Sequence, residues 1–538
     1  MLVLYNASIY APKQPKATAI AIDHGRFVAL GSDADILSGF SHATFKVDLQ
    51  GRTILPGLTD SHVHLHHLAD SMTNVDCETE TREECLERVQ QAADQTPIGS
   101  WIRGHGWNQN RWVSGYGNTL MLDDVCNGRP AFLTAKSLHA AWVNSQALKL
   151  ADIHLKTPDP PGGIIQRDDN DQPTGILFEN NAMDLVKSII PKPTRSEVKS
   201  RFQSLFSKLW ELGIVSVHDF DGLSCWDALQ ESYQNNRMHL RVRKSIPFKH
   251  LETFIQAGLR TDSGDDMLNV GCVKLFADGA LGPQTAALKN PYEGTDNYGT
   301  LLLTEKEIVE VGEYATRNGI ALAVHAIGDH ANHIVLNAFE KLRIFEHAHH
   351  LPHFHHRIEH VQIIDPRDLP RLSKLDITAS VQPIHAPSDM KVTERYLGNR
   401  ARNVYTFKTL LENNICCIFG SDAPVESVNP FHGIHAAVTR RRMDGSPGIN
   451  GWHPEQRLSL CEAIEGFTSE PAKLINRGGH LGRIAEGYQA DFLILEENPL
   501  TCDPQQLFEI RPAATFLDGE CVFQSSSLPM NLMPLSGF

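Results

Sequence analysis

Thr53-Ile54-Leu55-Pro56-Gly57-Leu58-Thr59-Asp60-Ser61-His62-Val63-His64 is the stretch from which the fold can be read. An apolar run leads into two histidines separated by one residue. Residues i and i+2 of a strand point to the same face, so His62 and His64 project together where the strand ends. Neutral imidazole is the commonest metal ligand and suits zinc and other first-row ions. The pair alone is a weak signal, because a chain with 27 histidines forms such pairs by chance.

The same grammar recurs downstream. The run 320–324 ends at His325, a second apolar start ends in Ile358-Glu359-His360, and Ile418-Phe419-Gly420-Ser421 ends at Asp422. Val273-Lys274-Leu275-Phe276 is followed by Ala277-Asp278-Gly279. Each places an ionisable residue where a buried strand meets a loop. Further apolar runs at 214–218 and 377–382 alternate with amphipathic stretches at 304–318, 331–345 and 406–413. This alternation predicts βα units and a parallel sheet, hence an α/β fold with a (β/α)8 TIM-type barrel. The C-terminal strand ends of such a barrel form one face, and active sites lie there. Lys274 is the odd member, since an ammonium repels a metal. It can act as a carbamate, a carboxylate on a long arm able to bridge two metals. Unmodified, it can act as a charge partner to Asp278 or Asp422.

Both ends of the chain read as short strands, at 2–9, 18–23, 26–31 and 44–48 and again at 490–496, 514–517 and 520–524. They predict a small β-sandwich domain built from residues 1–55 plus 480–525, flanking a barrel domain at 56–479. The stretch 70–210 breaks the barrel rhythm with Trp101, Trp107, Trp112 and Trp142 among Gly and Pro, and reads as an insertion after barrel strand 1.

A formal net charge of −15 argues against nucleic acid, because phosphate binding needs clustered Lys and Arg. The one basic run, Arg440 to Arg442, reads as a solvated helix end. The six histidines within 346–356 read as a solvated loop. No stretch of 18 apolar residues and no basic-then-apolar leader is present, so a soluble protein without a membrane span is expected. Ten scattered cysteines lacking CxxC spacing fit a reducing cytoplasm. Disorder is expected only in the Ser/Pro/Met-rich tail from Ser525.

His-x-His followed in order by Lys, His, His and Asp is similar to the pattern of the binuclear amidohydrolase superfamily. The phrases VKLFADGALGPQTAAL (273–288), VHAIGDHAN (324–332), RIEHVQ (357–362), ASVQPIHAPSDM (379–390) and FGSDAPVE (419–426) resemble the amidohydrolase family 3 branch that includes N-substituted formamide deformylase. So do GWNQ (106–109) and HAAWVNS (139–145) in the insertion, and the likeness extends over essentially the whole chain. The resemblance implies that His62 and His64 bind a buried metal, His325 and His360 bind a second, and Lys274 bridges them as a carbamate. It implies that Asp422 contacts the buried metal and carries the proton. It further implies two divalent ions, zinc by expectation, with carbon dioxide held on Lys274, and hydrolysis of an amide or formamide-type C–N bond in a small molecule. Trp107, His139, Asp278 and Gln382 are candidate substrate contacts. Pro283-Gln284, Leu138 and His330 depart from the pattern, so substrate identity does not transfer. The alternatives are a mononuclear deaminase or cyclic-amide hydrolase and a catalytically silent scaffold. A homodimer is compatible with either enzyme reading.

Overall fold

A computed structural model describes residues 1–235 and 238–528. Its centre is an eight-stranded parallel sheet: β1 (Leu58–Val63), β2 (Ile214–Asp219), β3 (Arg241–Pro247), β4 (Leu268–Phe276), β5 (Leu322–Ala326), β6 (Arg357–His360), β7 (Thr378–Val381) and β8 (Cys417–Phe419). These strands neighbour one another in sequence order. The sheet closes on itself through a parallel bridge between Val63 and Ala423, with Asp422 N–H donating to His62 O at 2.7 Å. Strands covered on both faces need apolar side chains on both, which is why they read as continuous runs rather than alternating ones. β1 and β5 through β8 are buried at every residue. Closure also needs a residue without a side chain. A Cβ on Gly420 would lie 2.4 Å from His62 N and 2.9 Å from Asp60 Oδ1.

Helices return between the strands where the amphipathic stretches predicted them. Glu305–Arg317 starts in a capping box, with the Thr304 hydroxyl accepting from Glu307 N–H and the Glu307 carboxylate accepting from Thr304 N–H. Asp329–Ala348 begins after Gly328, where an added Cβ would meet Ala287 O at 1.9 Å.

The run 53–64 divides at Gly57. Thr53–Pro56 belongs to a five-stranded sheet with Ser8–Ile9, Phe492–Leu495, Pro512–Leu517 and Glu520–Gln524, while Leu58 onward enters the barrel. A four-stranded sheet of Arg26–Gly31, Ala19–Asp23, Leu2–Tyr5 and Phe45–Asp48 packs with it around Phe27, Ile54, Phe492 and Phe516. Both termini therefore share one β structure beside the barrel. Arg241 of β3 ties the two together: its guanidinium bonds Asp491 at 2.7 and 3.0 Å and Asp518 at 2.5 Å. Breaking a buried pair strands an uncompensated charge at a cost of about 3–5 kcal/mol. Arg241→Met should lower the denaturant midpoint accordingly, and an unchanged midpoint would show that this link carries no stability.

After β1 and the helix Leu65–Ser71, the chain leaves the barrel to form a six-stranded sheet in the order Ile164–Arg167, Pro173–Phe178, Ala140–Val143, Ala131–Ala135, Ile102–Trp107, Val75–Asp76. The helix Arg195–Glu211 brings it back to β2 and buries Phe202, Phe206 and Leu209 with the barrel residues Val215 and Val217.

Three surface expectations are corrected. Arg440 is fully buried, its guanidinium bonding Trp452 O and Tyr405 O and lying over the Phe407 and Trp452 rings. Of the histidine tract, His349, His350, His353 and His355 do lie in an exposed or half-exposed loop, but His347 lies in the last turn of a helix and His356 is buried against Phe339, paired with Glu346 at 2.7 Å. Leu528 packs into the terminal core, so the tail is ordered to that point, and residues 529–538 lie outside the described residues.

Candidate metal centre

The C-terminal strand ends open into a cavity of about 1460 Å³, larger than the roughly 300–1,000 Å³ usual for small-molecule sites. His62, His64, Lys274, His325, His360 and Asp422 all line it. Insertion residues form part of its wall, held there by His105 Nε2 on Pro424 O at 2.9 Å and Lys136 Nζ on Glu426 at 3.0 Å.

Each of the four histidines has one ring nitrogen committed to the protein. His62 Nδ1 pairs with Glu359 Oε2 at 2.6 Å, His64 Nδ1 with Asp221 Oδ1 at 3.0 Å, His360 Nδ1 with Gln382 Oε1 at 2.8 Å, and His325 Nε2 with Gly279 O at 2.9 Å. Such bonds fix the tautomer and leave the other nitrogen as a lone-pair donor, as metal-ligating histidines require. The Nε2 atoms of His62 and His64 lie 3.5 and 3.3 Å from Asp422 Oδ1. One donor atom from each of these three residues falls within 4.8 Å of the others. The rings of His325 and His360 are 4.6 Å apart, and those of His62 and His360 5.1 Å. This donor set of imidazoles and a carboxylate fits a divalent first-row ion.

The backbone at these strand ends is held in unusual conformations. His360, Val361 and Asp422 have φ of 76°, 43° and 60°. A left-handed conformation at a β-branched valine is costly and persists only where the surroundings impose it, a pattern that clusters at functional sites.

Electrostatics follow from burial. His62 is pushed down to about 4, by burial first and by the nearby Lys274 second. Burial also opposes charge on His64, but its bond to Asp221 and the nearby carboxylate of Asp422 outweigh this and raise it to about 10. Burial alone would raise Asp422, yet the surrounding histidines hold it well below the usual carboxylate range. Lys274 is lowered to about 8, chiefly by burial. Its Nζ lies over the rings of Phe220 at 4.6 Å and Phe276 at 5.0 Å, and it makes no ion pair with Asp278 or Asp422. Glu359 and Asp422 act on the amine through charge alone, favouring its protonated form.

The four candidate substrate contacts separate. His139 lines the cavity, pairs with Glu179 at 2.8 Å and places its ring 5.8 Å from that of His325. Trp107 also lines the cavity, but its indole N–H is spent on Leu133 O, leaving only ring surface to offer. Asp278 does not reach the cavity: it is fully buried and accepts from the backbone N–H groups of Ile327, Gly328 and Ala287 at 2.8–3.0 Å. It fixes the loops after β4 and β5. Gln382 is spent on His360, so it acts through that histidine instead of touching substrate.

Several functional residues escaped the sequence reading. Glu359 sits between His62 and Arg357, whose guanidinium grips it at 2.5 and 2.8 Å. Asp221 pairs with both His64 and His67. Asp60 accepts from Ser421 N–H and Oγ and from His62 N–H, pinning β8 to β1. The available signal was the acidic residues of Asp219-Phe220-Asp221, placed just past an apolar run, as at the other strand ends.

A model of the amidohydrolase family matches residues 46–523. The chain belongs to the amidohydrolase family. It is similar to N-substituted formamide deformylase of Arthrobacter pascens, at 26% identity over 96% of this chain and 97% of that protein. It is also similar to the protein LONG AFTER FAR-RED 3 of Arabidopsis thaliana, at 32% identity over 92% and 87%. Among solved structures, an uncharacterized metal-dependent hydrolase from Pyrococcus furiosus shares 30% identity with a TM-score of 0.73, covering 93% of this chain and all of that one. The expectation of a metal-dependent amidohydrolase on a TIM-type barrel is met. Among the described residues no helix is long and apolar enough to cross a membrane.

His139 tests how this amidohydrolase uses its insertion. Hydrogen bonds to charged groups contribute about 1.5–3 kcal/mol. His139→Ala should therefore lower kcat/KM by about 10- to 100-fold with metal content unchanged in elemental analysis. Loss of metal in this variant would place His139 among the ligands.

Proposed function

We propose that the enzyme hydrolyses an amide or formamide-type C–N bond of a small molecule with two divalent ions, zinc by preference. His62, His64 and Asp422 would hold one ion, and His325 and His360 the other, with Lys274 bridging as a carbamate. The observation that carries this reading is the Lys274 amine itself: buried, lowered to about 8, and, among the described residues, without a hydrogen bond or ion pair amid four singly committed imidazoles. A neutral buried amine is the form that adds to carbon dioxide, giving a carbamate and releasing one proton. Bound divalent ions at such a site lower the pKa of water and polarise a carbonyl. The rest falls to the chain. Asp422 accepts the proton as the attacking water adds to the carbonyl carbon, then returns it to the leaving nitrogen as the C–N bond breaks. Glu359 and Asp221 keep His62 and His64 in one tautomer, and the insertion closes the cavity around the scissile group. The relative from Arthrobacter pascens, named for deformylating N-substituted formamides, supports this substrate class. Ten unpaired cysteines support a cytoplasmic setting.

One observation favours a mononuclear reading: among the described residues His325 belongs to no compact donor group, and the two at the site, His62, His64 and Asp422 and His360, His385 and Asp422, share Asp422. A deaminase or cyclic-amide hydrolase would then be expected. Amine release from N-formyl, N-acetyl and N-carbamoyl compounds, measured before and after chelation and zinc return, tests the function. Release that is lost with the metal and regained with it is expected. Turnover of only cyclic amides or amino-heterocycles would move the assignment to the alternative.

A further inference from the structure

Of the cavity-wall histidines that the hydrolytic scheme does not use, His385 stands nearest the proposed reacting groups. His385 begins the helix His385–Leu397, shortly after β7, and is more than nine-tenths buried at 8% exposure. Its Nε2 is enclosed and has no hydrogen-bond partner. The residue's backbone N–H donates to Gln382 O at 3.1 Å, but among the described residues neither ring nitrogen is bonded to the protein. This sets it apart from His62, His64, His325 and His360, each of which has one nitrogen committed. Buried polar groups are rarely left unpaired, and His385 lines the cavity, so a ligand there is the expected partner of its ring.

The position of the ring indicates which part of the ligand that is. His385 lies nearly parallel to His360, at 18° with centroids 6.5 Å apart. A ring nitrogen of His385, one of His360 and a carboxylate oxygen of Asp422 lie within 4.8 Å of one another. It therefore borders the space between the proton carrier and the second histidine pair, where the carbonyl of a substrate would sit. Its neighbours on the same helix are immobilised. Ser388 Oγ donates to Glu426 at 2.5 Å, and Asp389 accepts from Tyr405 Oη at 2.6 Å and from Gln362 Nε2 at 3.4 Å. The helix that carries the ring is thus fixed before any ligand arrives, and a donor on a fixed frame stabilises developing charge with little reorganisation.

We propose that His385 is a further catalytic residue, donating its free ring N–H to the carbonyl oxygen as that oxygen gains charge. The inference rests on the amide-hydrolase reading above. Loss of one such donor typically costs about 10²–10³ in rate.

The test uses the metal-loaded enzyme and the variants His385→Ala and His385→Gln. His385→Ala should keep the wild-type metal content and lower kcat on the best acyl-amine by about 10²–10³-fold with little change in KM. Imidazole should restore part of the rate, and His385→Gln, which keeps an N–H, should lose less than alanine. By calorimetry, methylphosphonate, a tetrahedral anion, should bind the alanine variant at least about tenfold more weakly while planar acetate is unaffected. Loss of metal, an unchanged kcat, equal weakening of both anions, or failure of the wild-type enzyme to bind methylphosphonate would each overturn the proposal. If the wild-type enzyme hydrolysed no amide, the functional reading would fall, while the comparison of the two anions would still decide the role of His385.

Discussion

Replacing Asp422 by Asn is expected to lower kcat by about 10²- to 10⁴-fold while most of the metal and the fold remain. That range corresponds to about 3–5 kcal/mol of transition-state stabilisation at 1.36 kcal/mol per decade. The expectation follows from its place. Asp422 leaves β8 with φ of 60°, its backbone N–H fixed on His62 O and its carboxylate within 3.5 Å of two imidazole nitrogens. Asparagine keeps the shape and one oxygen but cannot take a proton from water. The held-down carboxylate suits a group that must be ionised when water arrives. Full metal content with near wild-type kcat in Asp422→Asn would mean that another group moves the proton.

Lys274→Ala should be the more disruptive change. Without the amine no carbamate can form, and His325 and His360 lose the group proposed to join their ion to the first. Bound metal should fall by about half or more, and kcat by at least about 10³-fold, since a metal supplies several kcal/mol of charge stabilisation. Bicarbonate with a short carboxylic acid should restore part of the rate by supplying a surrogate bridge. A Lys274→Ala enzyme with undiminished metal and rate would remove the carbamate from the account.

The barrel was legible because parallel strands buried on both faces leave continuous apolar runs, and its ligand-type residues were legible because they sit where those runs stop. β3 was not legible. Arg241-Val242-Arg243-Lys244 looks like a surface segment, yet all three cations are buried. Arg241 meets Asp491 and Asp518, Arg243 meets Asp262, and Lys244 meets Asp219. Those partners are distant in sequence, so nothing local announces the burial. Arg440 misled for the same reason, its neighbours being carbonyls and aromatic rings from other segments. At Gly57 one apolar run passes from one sheet to another, serving the two in succession. Within the site, residues at strand ends could be picked out, but not which of them orient others. Gln382 and Asp278 lie in phrases as distinctive as that of His139, and only their hydrogen bonds separate a group facing the cavity from one holding the frame.

Elemental analysis of the purified, zinc-supplemented enzyme, reported as metal per chain, tests the central claim most directly. The account predicts about two ions per chain in the wild-type protein, falling to one or fewer in Lys274→Ala. A single ion per chain in the wild-type enzyme, unchanged in Lys274→Ala, would contradict the binuclear site and leave Lys274 without the role assigned to it.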